Sequence, residues 1–175
     1  QSCVAGSRLI VQEAVAEAFL KRLVAAAQAI RIGDPLADET QMGPLCTAGQ
    51  VRLIEAQVAL AVTEGAKVLT GGRQPALGGT YYEPTIIDCP SAELTIVDTE
   101  LFGPVLSVLR FKDEAEAVAL ANRSQHGLAA GVFTRVKGSG YGRESGFQAM
   151  YDYTRPKTIW VNTSSEPIAN PFVMR

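Results

Sequence analysis

The stretch RLIVQEAVAEAFLKRLVAAAQAIRIGDP, residues 8–35, decides the fold class. Its first five residues, 8–12, form a short run rich in β-branched side chains, which predicts a strand. Apolar side chains then recur at helical spacing and predict an amphipathic helix over residues 13–31; they are Val15, Phe19, Leu23, Ala26 and Ile30. Gly33-Asp34-Pro35 ends this helix, because proline cannot continue a helix and glycine suits the end of one. A strand that leads directly into a helix is the repeating unit of an α/β protein.

The rest of the chain continues this alternation. Further strands are predicted at residues 66–70, 82–88, 104–111, 128–134 and 158–162, and further helices at residues 48–64, with Gly65 as its C-terminal cap, and 147–153. A capped helix is predicted after Asp113, because Glu116 follows three residues later. The pattern predicts an α/β fold with a largely parallel sheet flanked by helices. We expect residues 1–135 to form one part, and residues 136–175 to form a glycine-rich loop, a short helix and a C-terminal strand with a tail.

The composition excludes several classes of protein. Of the 175 residues, 47% are hydrophobic and 19% are charged, which is typical of a folded soluble domain. The net charge of −2 provides no basic surface for nucleic acid and no polybasic anchor for a membrane. Three widely spaced cysteines, Cys3, Cys46 and Cys89, argue against a disulfide framework and against a zinc site. We therefore expect no metal, and a reducing cytoplasm as the compartment.

Two features that suggest familiar sites fail on inspection. The glycine-rich run at residues 138–142 would need a further glycine at Arg143 to be a dinucleotide fingerprint, and one at Lys137 to be a nucleophile elbow around Ser139. His126 is the only histidine, and it lies in a predicted turn between a helix and a strand. A polar side chain in such a turn usually faces water, so catalysis by His126 is not expected.

Two other motifs agree with each other. QSCVAGSR at residues 1–8 resembles the active-site cysteine segment of the aldehyde dehydrogenase superfamily. TELFGPV at residues 99–105 resembles the second signature of that family, Glu-x-Phe-Gly-Pro. Both occur in the family's order, and further blocks resemble the family at residues 43–45, 64–67, 71–72, 121–122, 127–135, 137–144 and 153–161. The resemblance covers most of the chain.

The resemblance implies a fold like the catalytic domain of these enzymes and an NAD- or NADP-dependent oxidation of a small-molecule aldehyde to a carboxylic acid. Cys3 would be the nucleophile, since thiolate is the reactive form of cysteine. Glu100 would accept hydrogen bonds from the nicotinamide-ribose hydroxyls, and Phe102 would pack near the nicotinamide. Cys46 and Cys89 would be structural. The family also implies a homo-oligomer in the parent enzyme.

This chain departs from the family pattern in two ways, and both bear on whether we expect it to be active. By resemblance, the cofactor domain, an oxyanion-hole asparagine and a general-base glutamate all precede the cysteine, and this chain begins at Gln1. Several tens of residues are also expected to be missing where Arg135 joins Val136. We therefore expect a truncated catalytic half that is inactive alone. Two alternatives stand beside this interpretation: a non-catalytic, self-associating remnant, and a thiol hydrolase that uses Cys3 and His126.

Overall fold

The computed structural model of the protein describes residues 1–133 and 158–161. Strands and helices alternate there as the sequence predicts. The strands are β1 (Arg8–Gln12), β2 (Lys67–Thr70), β3 (Thr85–Asp88), β4 (Val105–Phe111), β5 (Ala129–Val132) and β6 (Thr158–Val161). The helices are α1 (Glu13–Gln28), α2 (Ala48–Thr63), α3 (Thr95–Asp98) and α4 (Glu114–Asn122). The predicted helix at residues 147–153 and the glycine-rich stretch before it lie outside the described residues.

The strands form two sheets. A four-stranded sheet has the order β1-β4-β3-β2, in which β4 pairs in parallel with both β1 and β3. The outer strand β2 pairs with β3 in the antiparallel direction. This sheet belongs to one compact unit, Gln1–Gln125, while the parallel pair β5 and β6 belongs to a second unit, His126–Arg175. The predicted α/β fold with a largely parallel sheet is confirmed, with β2 as the antiparallel exception.

The four-stranded sheet is covered on both faces because β4 is apolar on both. Val105 and Leu109 join one buried cluster with α2 and α3, whereas Val108 joins a second cluster with α1. Burial on both faces is the reason why residues 104–111 read as a continuous apolar run instead of an alternating one. α1 contributes Ala16 and Leu20 to its cluster, and the remaining apolar stripe of this helix is more exposed.

The helix ends show where local sequence signals decide the structure. Thr47 caps α2 by accepting a hydrogen bond from the backbone N–H of Gln50 at 3.1 Å, and Gly65 follows the helix with φ of +100°, a conformation that glycine adopts without strain. Asp113 caps α4 in the same way through the N–H of Glu116 at 2.9 Å. Both predicted caps, Gly65 and Asp113, are confirmed.

The prediction that the first helix runs to residue 31 is wrong by three residues, because α1 ends at Gln28. The backbone N–H of Arg31 donates to Oε1 of Gln41 at 3.0 Å, and the carbonyl of Arg31 accepts the N–H of Gln41 at 2.9 Å. The backbone N–H and C=O groups of Arg31, which would form helical hydrogen bonds if α1 continued, are therefore already bonded to Gln41. None of the helices in the described part of the chain has the length and apolar character required to cross a membrane.

Candidate active site

The two sequence motifs lead into neighbouring strands at one edge of the sheet. The cysteine segment, residues 1–7, precedes β1, and the glutamate segment, residues 99–104, precedes β4. The two strands are parallel, with Arg8 opposite Ser107, and the N–H of Ser107 donates to the carbonyl oxygen of Ser7 at 3.0 Å. The fold therefore brings both segments to the N-terminal edge of one parallel strand pair.

Cys3 and Phe102 lie equally far in sequence from a pair of strand residues that face each other. Cys3 lies five residues before Arg8, and Phe102 lies five residues before Ser107, the residue that pairs with Arg8. Two segments separated by about a hundred residues in sequence thus leave the same edge at equivalent points.

Cys3 is exposed and lies in a turn that the hydrogen bond from the N–H of Ala5 to the carbonyl of Ser2 closes at 3.1 Å. Gly6 is exposed, and a Cβ built on it would meet no atom within 4 Å. The segment also contacts the body of the unit at its start, because Oε1 of Gln1 accepts the backbone N–H of Cys46 at 2.9 Å. The Cys3 thiol is therefore open to any reagent or substrate in solution.

The glutamate segment is anchored through its backbone and leaves the side chains of Glu100 and Phe102 exposed. Leu101 is buried, and its carbonyl accepts a hydrogen bond from the side-chain amide of Gln50 on α2. Glu100 is exposed, and Phe102 keeps 42% of its surface exposed at a φ of +50°. Left-handed backbone costs a residue with a side chain about 1–2 kcal/mol, and such strain concentrates at functional sites. Among residues 1–133 and 158–161, no other residue except glycine has a positive φ.

Packing explains the Gly-Pro that follows Phe102. A side chain at Gly103 would meet Ile54 of α2, because a Cβ built there lies 2.3 Å from Cδ1 of that fully buried isoleucine. Pro104 then accepts the N–H of Thr85 through its carbonyl at 2.8 Å, which ties the segment to β3. Glycine at position 103 thus lets the glutamate segment approach α2 closely. The turn that results leaves Glu100 and Phe102 exposed.

An ion pair that the sequence does not predict joins β1 to α3, next to the two segments. Nη1 of Arg8 lies 3.8 Å from Oδ1 of Asp98, two residues before Glu100. Arg123 lies 3.4 Å from the same carboxylate and makes two bonds to Glu93, at 2.8 and 3.0 Å. Burial lowers the pKa of Arg8, and Asp98 partly offsets that effect by stabilising the charge. No local pattern reveals this contact, since Arg8 and Asp98 lie 90 positions apart in sequence.

The other two cysteines differ in their surroundings. Cys89 is buried, and its burial raises the pKa of the thiol to about 11, which makes the group unreactive at neutral pH. Cys46 is exposed, and its assignment as a structural cysteine stays a prediction. His126 is exposed and begins the second unit, His126–Arg175.

The opposite edge of the sheet holds a charged crevice of about 580 Å³ with Arg110 at its wall. Arg110 bonds to Asp88 at 2.7 Å, to Glu17 at 2.7 Å and to Glu13 at 3.3 Å. The bond to Asp88 contributes most to raising the pKa of Arg110. Because three carboxylates already surround the guanidinium, this cluster is a structural ion network. In the part of the chain that the structure describes, no group of three or more His, Cys, Asp or Glu side chains could hold a metal ion.

Comparisons with known proteins agree with the two motifs. The sequence profile of the aldehyde dehydrogenase family matches residues 1–136. The (Z)-2-((N-methylformamido)methylene)-5-hydroxybutyrolactone dehydrogenase of Acinetobacter baylyi is 42% identical over an alignment that covers all of this chain and 43% of that protein. A betaine aldehyde dehydrogenase of Cereibacter sphaeroides is 37% identical, over 98% of this chain and 42% of that protein.

Solved structures give the same result. The betaine aldehyde dehydrogenase of Staphylococcus aureus, in complex with NAD+, superimposes with a TM-score of 0.81 and 33% identity, over 91% of this chain and 31% of that one. A putative aldehyde dehydrogenase from Burkholderia cenocepacia gives a TM-score of 0.82 and 37% identity, over 95% of this chain and 34% of that one. The chain therefore spans about two fifths of these curated relatives and about one third of these solved structures. The family match and the shared fold together show that this chain belongs to the aldehyde dehydrogenase family.

Proposed function

We propose that this chain carries the cysteine half of the active site of an NAD- or NADP-dependent enzyme that oxidises a small aldehyde to a carboxylic acid. The observation that supports it best is the parallel pairing of β1 with β4, which brings the cysteine segment and the glutamate segment to one edge. In this proposal Cys3 is the catalytic nucleophile, and Glu100 and Phe102 contact the cofactor.

The chemistry of Cys3 follows from its exposed thiol. The thiolate attacks the aldehyde carbon, and the carbonyl oxygen becomes an oxyanion in a thiohemiacetal. Loss of a hydride from that carbon leaves a thioester on Cys3. Water then attacks the thioester, releases the carboxylic acid and returns the thiol. A serine at this position would be a far poorer nucleophile at neutral pH, since its hydroxyl is not ionised there.

The outward-facing part of the glutamate segment fits a nicotinamide nucleotide. An exposed carboxylate at Glu100 accepts hydrogen bonds from a ribose diol, and the half-exposed ring of Phe102 offers a flat apolar surface beside it. When bound, NAD or NADP supplies the two-electron acceptor for the hydride. The hydrogen bond from Gln50 to the carbonyl of Leu101 anchors the backbone between Glu100 and Phe102.

The 175 residues alone are not expected to catalyse this reaction. Cys3, Glu100 and Phe102 all face solvent, and efficient catalysis requires a site that fixes the reactants and excludes water. For the enzyme as a whole we propose a homo-oligomer in the cytoplasm. The homo-oligomer rests on family membership, and the compartment rests on the three widely spaced cysteines.

A non-catalytic remnant is the second candidate, and two observations favour it. The alignment with the Acinetobacter baylyi relative extends over 209 positions and includes the whole chain of 175 residues, so the chain carries gaps there. The family profile stops matching at residue 136, next to the predicted junction of Arg135 with Val136. These two findings support an internal loss of several tens of residues at that junction.

A chimera distinguishes the two candidates. This chain replaces the matching two fifths of the Acinetobacter baylyi relative, and NADH formation from an aldehyde that the relative oxidises is followed by absorbance. We expect turnover in the chimera, none with Cys3→Ser, and most of it retained with the matched control Cys46→Ser. Glu100→Gln should slow hydride transfer in single turnovers, because an amide is a weaker acceptor than a carboxylate.

Three outcomes would count against the proposal. Turnover that persists with Cys3→Ser would remove Cys3 from the mechanism. A folded chimera without activity would favour the remnant. Saturable NAD binding or NADH formation by the 175 residues alone would show that the expectation of inactivity is wrong.

A further inference from the structure

The backbone on both sides of Phe102 is contacted by one face of α2. Before Phe102, the side-chain amide of Gln50 donates to the carbonyl oxygen of Leu101. After it, a Cβ built on Gly103 would meet Ile54, which follows Gln50 by about one helical turn and shares its face of the helix. A residue with a side chain does not favour the φ of +50° found at Phe102, so contacts with its neighbours must hold that conformation.

The direction of the Leu101 carbonyl and the φ of Phe102 are linked, because both belong to one peptide plane. That plane contains the C=O of Leu101 together with the N–H and Cα of Phe102. Rotation of the plane therefore changes the direction of the carbonyl and the φ of Phe102 at the same time. While the carbonyl accepts the amide of Gln50, a rotation toward negative φ has to break that hydrogen bond.

Gln50 is itself held at the start of α2. Its backbone N–H donates to the side-chain oxygen of Thr47 at 3.1 Å and lies 3.2 Å from the carbonyl oxygen of the same residue, so the capped first turn fixes its position. Beyond Phe102, the carbonyl of Gly103 accepts the N–H of Val105 at 2.8 Å. The hydrogen bond from Gln50 thus connects the capped end of a helix to the turn that leads into β4.

We propose that Gln50 is a positioning residue, whose amide holds Phe102 in its left-handed conformation. Without this donor the carbonyl of Leu101 is released, and rotation of the peptide plane relieves the strain at Phe102. The direction of the Phe102 ring changes with φ. The consequence for the enzyme rests on the proposed function, in which this ring packs near the nicotinamide: once the ring has turned away, the cofactor is bound and oriented less well.

Nuclear magnetic resonance of the 175-residue chain tests the conformation directly. At positive φ the backbone N–H of a residue lies close to its own Hα, so Phe102 should show a strong nuclear Overhauser effect between these two protons. Gln50→Met keeps the length of the side chain and removes the donor, and Gln50→Glu puts an acceptor in its place. We expect both variants to lose most of this signal.

Gln57→Met is the matched control, because it makes the same substitution on the same helix about two turns later. It should keep the Phe102 signal even if it changes the stability of the chain, and urea denaturation of each variant measures that stability separately. The signal at Phe102 therefore distinguishes a positioning role from a general effect on α2.

The chimera with the Acinetobacter baylyi relative tests the consequence for the reaction. There Gln50→Met should slow hydride transfer in single turnovers and raise the KM for NAD, each by about 2–10-fold, the change that one hydrogen bond supports. Hydrolysis of the thioester should keep its rate, since that step does not transfer hydride to the nicotinamide. A loss of folded protein would instead lower kcat and leave KM unchanged.

Two results would overturn the assignment. One is an undiminished Phe102 signal in both Gln50 variants, and the other is an equal loss of that signal in Gln57→Met. In an active chimera, unchanged hydride transfer with Gln50→Met would refute the role toward the cofactor. An inactive chimera with Gln50 in place would count against the proposed function and would leave the resonance result standing, so the two failures are distinguishable.

Discussion

Substituting Gly103 by alanine tests the close approach between the glutamate segment and α2. Gly103 does not have a left-handed backbone conformation, so alanine there meets no backbone strain. By chain entropy alone, Gly103→Ala would stabilise the fold by about 0.4–1 kcal/mol, since alanine restricts the unfolded chain. The contact with Ile54 opposes this gain, and the balance between the two effects decides the sign.

The geometry favours destabilisation. The added Cβ would lie 2.3 Å from Cδ1 and 3.4 Å from Cγ1 of Ile54, whereas carbon atoms in contact prefer about 3.5–4.0 Å. Ile54 is 0% exposed, so its terminal methyl group has no free space to enter. Overpacking of a core costs about 1–3 kcal/mol. We therefore expect Gly103→Ala to lower the free energy of unfolding by about 1–2 kcal/mol.

Ile54→Val provides the matched control, because it removes Cδ1, the atom that clashes, and keeps a methyl group at Cγ1. Alone it should cost about 0.5–1.5 kcal/mol. In urea denaturation of the four chains, the double variant should be more stable than the sum of the single effects predicts, by at least about 1 kcal/mol. A Gly103→Ala chain as stable as the unmodified one, or single effects that simply add, would refute the packing argument.

Two further predictions concern stability. Replacing Phe102, whose φ is +50° and whose ring is half exposed, by glycine should leave the urea midpoint unchanged or raise it, whereas Phe102→Val should lower stability by about 1 kcal/mol because a β-branched residue tolerates this conformation poorly. A lower urea midpoint for Phe102→Gly than for Phe102→Val would show that contacts of the ring, and not relief of backbone strain, determine stability at this position. Burial, followed by the negative charges of Glu55 and Glu83, raises the pKa of Tyr82 to about 12, from an ordinary value near 10. As pH rises, the Tyr82 hydroxyl therefore ionises in the unfolded chain before it ionises in the folded one. The free energy of unfolding keeps its full value below about pH 10 and falls as pH rises toward 12, by on the order of 2 kcal/mol in all. In urea titrations at several pH values Tyr82→Phe should remove this alkaline loss, and an equal loss in that variant would assign it to other groups.

Much of the fold is predictable because its decisive signals are local. The caps of α2 and α4 and the apolar run of β4 each lie within a few residues, so spacing alone identifies them. α3 escaped prediction because its four residues are too few to show a helical period. The early end of α1 escaped for another reason, since it depends on the pairing of Arg31 with Gln41 across a loop.

The residues of the candidate site also fall into those that local sequence identifies and those that it does not. Motif resemblance identified Cys3, Glu100 and Phe102 as candidates, because each lies in a contiguous block of the family pattern. It could not identify Asp98, whose contacts with Arg8 and Arg123 come only from tertiary structure. The exposure of Cys46 was likewise hidden, since a small apolar side chain in a loop carries no periodic signal.

The relation between the two segments depends on strand register, and apolar burial alone does not fix that register. On β4, Val108 faces one core and Leu109 the other, so a shift by one residue would still place an apolar side chain in each. Polar contacts fix the register at both ends of the strand. Before β4, the Arg8–Asp98 ion pair joins β1 to the end of α3. At its far end Arg110 bonds to Glu17 and Glu13 of α1, the helix that follows β1, and a shift by one residue would turn this charge toward an apolar core at a cost of several kcal/mol. These ionic contacts therefore favour the observed β1–β4 register, which sets the offset between the cysteine segment and the glutamate segment.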